Sequence, residues 1–186
     1  MSLGINNPPH DSDNIFRNRV IIQVFEEFES LVPADELRMR AERTLEVSLG
    51  TTNAEVSIVI SGDDDVRELN KRYRGLDETT DVLSFSYNHH GQYYGKRKEP
   101  YNLPTTNEFI LPPGENISLG EVIISYPQAQ RQASRAGHPV DTELEVLVTH
   151  GILHLLGYDH ESPTDQLEME RVQTKVLTDL ETKVCR

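Results

Sequence analysis

Cysteine is nearly absent from this chain: one occurs in 186 residues, Cys185, next to the end. That excludes an internal disulfide and any zinc cluster built on cysteine thiolates. Long hydrophobic runs are absent as well; no stretch approaches the roughly 18 apolar residues that a membrane-spanning helix needs. The opening residues, MSLGINNPPHDSDN, lack the basic start and apolar middle of a secretory signal. Positive charge is scarce, with 18 Lys and Arg against 31 Asp and Glu, a formal net charge of -13. A diffuse positive field cannot hold nucleic acid on such a surface, so any contact with phosphate requires a local basic patch or a bound cation. What remains has the size of one ordinary domain, 36% hydrophobic and 26% charged. The expectation is a soluble cytoplasmic protein whose acidity favours solubility.

The order of patterns along the chain gives a mixed α+β expectation. Residues 1–15 are polar and contain a Pro-Pro pair, which predicts a disordered leader; residues 16–186 then form one domain. Strands are expected at Val20 to Phe25, Glu55 to Ser61, Val82 to Phe85 and Leu119 to Tyr126. A helix from Asp35 to Leu49 precedes a second, with Val66, Leu69 and Tyr73 as its inner face and Gly75 as its C-cap. Asp63, Asp64 and Asp65 ahead of that face complement the helix dipole; they lack the alternation of a calcium loop. Turn formers fill 87–114, a long loop or inserted hairpin that includes Lys96, Arg97 and Lys98. Ser125 with Gln128 forms one capping box and Thr142 with Glu145 a second, which opens a helix ending near Gly157. A last helix starts at Pro163, with Leu167, Met169, Val172, Val176, Leu177 and Leu180 inward. These elements make a single small sheet packed against helices.

The chemistry is concentrated in Thr149-His150-Gly151-Ile152-Leu153-His154-Leu155-Leu156-Gly157-Tyr158-Asp159-His160. His150 and His154 are one helical turn apart, so their imidazoles share a face. Gly157 takes the left-handed conformation that ends a helix, and His160 then returns as a third ligand. Three neutral imidazoles around zinc leave one tetrahedral position for water, the arrangement of a catalytic site. A lone histidine on an apolar helix is ordinarily a hydrogen-bonded core residue, but three so close together around a glycine hinge favour a metal. His10, His89, His90 and His138 are read as surface histidines.

The spacing is shared with the metzincin peptidases, so the helix resembles the metal-binding helix of zinc metalloproteinases. Those enzymes carry a general-base Glu directly after the first His. Here that residue is Gly151, which has no side chain to act as that base and argues against peptide hydrolysis at the site.

The segment closely resembles the signature of the bacterial YbeY family, zinc-dependent endoribonucleases of ribosomal RNA maturation. Two further stretches agree: Leu69-Asn70 followed by Tyr73-Arg74-Gly75, Asp77 and Thr80-Asp81-Val82-Leu83-Ser84-Phe85, and Leu119-Gly120-Glu121-Val122-Ile123-Ile124-Ser125. The resemblance implies one Zn2+ per chain on His150, His154 and His160, with Arg74 as a functional arginine beside the metal cleft. A guanidinium there pairs with phosphate and neutralises charge in the transition state; apart from the resemblance, Arg74 reads as a helix C-terminal cation. Lys71 and Arg72 extend a basic patch. Asp159 and Glu121 are candidates for the general base by type alone, and Asp159 alternatively orients a ligand imidazole.

The resemblance further implies single-stranded RNA, ribosomal RNA above all, as substrate, and ribosomal particles or ribosomal proteins as the working context, without membrane or DNA. A non-catalytic ribosome assembly factor with a structural zinc site is the competing reading, since an acidic surface suits basic ribosomal proteins. A fourth protein ligand such as Asp159 would favour that alternative; an open fourth position favours catalysis.

Overall fold

The structure, a computed structural model, describes residues 18–50, 53–87, 116–160 and 162–184. The expected leader, and the expected loop beyond Tyr87, lie outside those residues. The elements run β1 (Arg19–Val24), α1 (Ala34–Leu49), β2 (Ala54–Ser61), α2 (Asp63–Arg74), β3 (Val82–Ser86), β4 (Ile117–Ser125), α3 (Tyr126–Ala136), α4 (Val140–Leu155) and α5 (Pro163–Val184), with a 3-10 turn at Glu26–Phe28. This is the expected α+β architecture. The sheet has the order β1-β2-β4-β3, with β1, β2 and β4 parallel and β3 antiparallel to β4. Among the described residues no helix is long and apolar enough to cross a membrane.

Side-chain alternation decides which face of the sheet is core. Val56, Ile58 and Ile60 on β2 are fully buried, beside Val20, Ile22 and Val24 on β1 and Gly120, Val122 and Ile124 on β4. On this face α1 contributes Leu37, Ala41 and Leu45, and α4 contributes Leu144, Val148 and Ile152, all within one core. Ser84 and Ser86 of β3 face the same way and donate to the carbonyls of Gly151 (3.1 Å) and Leu155 (3.4 Å) on α4. Phe85, out of phase with them, meets the ring of Tyr73 edge-on at 5.1 Å. That places α2 across the sheet from α4.

One irregularity shapes β4. The pairing with β2 slips between Glu55 and Val56, opposite Gly120. Gly120 has φ +138, and a Cβ there would sit 2.0 Å from the Phe85 carbonyl oxygen. Only glycine fits this bulge.

Three expectations are corrected. The Thr142–Glu145 pair does not open α4, which starts earlier with Pro139 as N-cap; Glu145 is drawn instead to the buried guanidinium of Arg40 on α1. Leu167 is 67% exposed, because it stands about 200° around α5 from buried Met169. Tyr73 is 49% exposed while Asn70 is buried, because the chain after α2 folds back over Asn70, whose Nδ2 donates to the Glu78 carbonyl at 2.8 Å. The Asp63 carboxylate does more than sit at a helix start. It accepts from Ser125 Oγ at 2.6 Å and pairs with Arg131 at 2.8 Å, tying α2 to the β4–α3 junction.

Candidate metal centre

Helix α4 is apolar on almost every side and accordingly buried; its inward polar residues include Thr149, fully buried, and the half-buried His150 and His154. Residue 151 turns about 100° from His150 and points at the sheet. A Cβ on Gly151 would approach Val122 Cγ1 to 2.4 Å and Ser84 Oγ to 3.3 Å. The metzincin position for a catalytic Glu is therefore filled by the sheet, a packing reason for the glycine.

The end of α4 builds the rest of the site. Gly157 adopts φ 82; its N–H donates to His154 O at 2.9 Å and the Tyr158 N–H to Leu153 O at 3.0 Å. These two bonds form a Schellman turn, which satisfies carbonyls the helix end would leave open. The turn aims the Tyr158 carbonyl back at His154, whose Nδ1 lies 3.0 Å away and donates to it. It also delivers His160, whose backbone N–H donates to Asp159 Oδ1 at 2.7 Å.

His150, His154 and His160 thus converge, with one potential ligand nitrogen from each lying within 4.8 Å of the others. The Nε2 atoms of His150 and His154 are 3.0 Å apart. A tetrahedral ion with nitrogens at about 2.1 Å separates its ligands by roughly 3.4 Å, so the cluster fits zinc after small adjustments. Protonation also fits. Burial pushes His150 below the ordinary histidine pKa, and burial with the neighbouring His150 and His160 pushes His154 down to about 4. Both rings are neutral at pH 7, as metal ligation requires. With Nδ1 of each engaged elsewhere, two Nε2 lone pairs face one another, an arrangement that a cation stabilises.

Among the described residues no fourth His, Cys, Asp or Glu joins the group. Asp159 is committed to the turn, its Oδ1 3.9 Å from His160 Nδ1, so it supports His160. Glu121 lies opposite Phe85 on β3, on the side of the sheet turned away from α4. Burial and then the Glu121 charge and hydrogen bond push the Tyr87 hydroxyl above its ordinary pKa. Arg74 occupies the last position of α2, before the left-handed Gly75, outside the histidine group. Of the basic neighbours, Lys71 pairs with Asp77 at 2.8 Å and Arg72 lies over the Tyr73 ring. His138 is taken up by Glu143 at 3.0 Å; His10, His89 and His90 lie outside the described residues.

One site residue escaped the sequence reading. Gln173 of α5 places Oε1 3.3 Å from His150 Nδ1. The available signal was its position, four residues after Met169 and three before Val176 on a buried stripe.

A family model described as Endoribonuclease YbeY matches residues 23–181. Curated relatives carrying that name include one from Dehalococcoides mccartyi, 44% identical over 89% of this chain and 92% of its own. Another from Roseiflexus castenholzii is 35% identical over 85% and 90%, and one from Aquifex aeolicus is 39% identical over 78% and 79%. Among solved structures, a Thermotoga maritima protein determined in solution superposes with a TM-score of 0.54 at 24% identity, covering 89% of this chain and 90% of that one. That likeness is one of fold.

Proposed function

The chain belongs to the endoribonuclease YbeY family, and from that premise we propose a zinc-dependent enzyme that cuts single-stranded RNA during ribosomal RNA processing. The observation that carries the metal reading is the convergence of three imidazoles, two of them kept neutral by burial, without a fourth His, Cys, Asp or Glu among the described residues. His150, His154 and His160 would hold one Zn2+ per chain, in a domain running from residue 16 onward.

When bound, the ion supplies Lewis acidity toward a phosphoryl oxygen and acidifies water in its coordination sphere. The chain's own residues do the rest. The Tyr158 carbonyl holds the proton of His154 on Nδ1, which leaves the Nε2 lone pair free to face the ion. Asp159 fixes the backbone that carries His160. Arg74, at the end of α2, is the cation we assign to the substrate phosphate, where a guanidinium forms two parallel hydrogen bonds to its oxygens. A +2 centre also gives an acidic protein a local attractor for a phosphodiester. The surplus of acidic residues suits basic ribosomal proteins as docking partners, and a cytoplasmic setting follows from such a substrate.

Single-turnover cleavage of a labelled single-stranded rRNA fragment, with zinc quantified in each preparation, tests this reading. Wild type binds zinc and cleaves; His154→Ala loses both; Arg74→Ala keeps zinc and fold but loses at least tenfold in rate. Zinc retained by His154→Ala overturns the ligand assignment. Zinc-loaded wild type without cleavage moves the protein to the assembly-factor class.

A further inference from the structure

We infer that Gln173 is a positioning residue for the metal centre: its amide oxygen holds the His150 proton on Nδ1 and thereby presents Nε2 to the ion. The inference rests on the metal reading above and assigns a role to a residue that reading does not use.

Three observations converge on it. The distance from Oε1 to His150 Nδ1 is 3.3 Å, and an amide oxygen can only accept. Gln173 shares the inward stripe of α5 with Met169 and Val176, both essentially buried; a polar residue there is costly unless its hydrogen bonds are met. The other α4 ligand has an equivalent partner in a different form, the Tyr158 carbonyl on His154 Nδ1. Each ligand nitrogen on α4 is thus matched by an acceptor on the far side of its ring, which fixes tautomer and ring orientation. The acceptor for His154 comes from the turn next to it in the chain, whereas the one for His150 must come from a separate helix.

That helix is held in register. Arg40 of α1 donates Nη1 to the carbonyls of Val176 (2.8 Å) and Leu177 (3.3 Å) and Nη2 to Glu145 of α4. The clamp lies one turn beyond Gln173 and joins α1, α4 and α5, so the Gln173–His150 pairing is set by the packed helices.

The test measures zinc affinity of the full chain by competition with a chromophoric chelator, together with the absorption spectrum of the Co2+-substituted protein and the melting curve of the metal-free form. Gln173→Leu should weaken zinc binding about 10–100-fold and alter the Co2+ spectrum, with the metal-free melting curve little changed. Gln173→Glu, the same shape and a stronger acceptor, should restore wild-type affinity or exceed it. If Gln173→Leu fails to fold, Gln173→Met takes its place and the comparison with Gln173→Glu stands. Wild-type affinity and spectrum in Gln173→Leu overturn the inference, as does a Gln173→Glu protein that binds zinc no better than Gln173→Leu. Absence of zinc from the wild type is a separate result, which removes the metal reading and this inference with it.

Discussion

Gly151 and Val122 meet so closely that neither position has room to grow. A methyl group on Gly151 would lie 2.4 Å from Val122 Cγ1, well inside contact distance. Alanine ordinarily favours a helix over glycine by about 1 kcal/mol, while overpacking a full core costs about 1–3 kcal/mol. The second effect wins here because the methyl strikes a strand fixed from both sides. Gly151→Ala should lower stability by about 1–2 kcal/mol in urea unfolding, and Val122→Ala added to it should recover part of that loss. Equal or greater stability in the single variant would show that α4 can rise off β4 freely. The same packing explains a difference in chemistry: where a peptidase keeps its general base, this helix presses on a strand.

Between elements, Arg40 ties Glu145 of α4 to the carbonyls of α5. The Arg40 side chain is 7% exposed and Glu145 is 25% exposed. Removing one partner of a buried pair leaves the other uncompensated, at a cost of about 3–5 kcal/mol, whereas replacing both by apolar residues is often nearly neutral. Arg40→Met should therefore be strongly destabilising in denaturant titration, and Arg40→Met with Glu145→Met should recover most of the loss. A double variant no better than the single would mean that the bonds to Val176 and Leu177 carry the effect. The sequence showed α1, α4 and α5 as helices, yet it misassigned Glu145 to a cap, since the local pattern Thr-x-x-Glu is the same whether a Glu turns back or reaches across.

For the molecule as a whole, the buried histidine cluster makes stability depend on pH. In the unfolded chain His154 titrates near the ordinary 6.5; folded and metal-free, it titrates at about 4, and His150 is lowered as well. Between those values the unfolded chain binds more protons, so unfolding gains as pH falls. Stability is fully present above pH 6.5 and is lost as pH drops toward 4, by about 1.4 kcal/mol per unit for His154, with His150 acting in the same direction. Thermal melts of the metal-free protein should show Tm falling over that window. Added zinc should raise Tm more at pH 7 than at pH 5, because protons compete for the same nitrogens. A flat profile from pH 7 to 4.5 would contradict the burial of these rings.

The sequence by itself determined the three histidines, the glycine that turns the chain between them, the strand and helix order, and membership of a family. All of these are local: spacing along a helix, a left-handed glycine, and side chains alternating along a strand are properties of neighbouring residues. Tertiary structure decided which face of each helix is inward, that Glu121 lies across the sheet from the histidine cluster, and that Gln173 reaches His150. Those facts depend on the distance between segments far apart in the chain, which only the packing of α1, α4 and α5 on the sheet establishes.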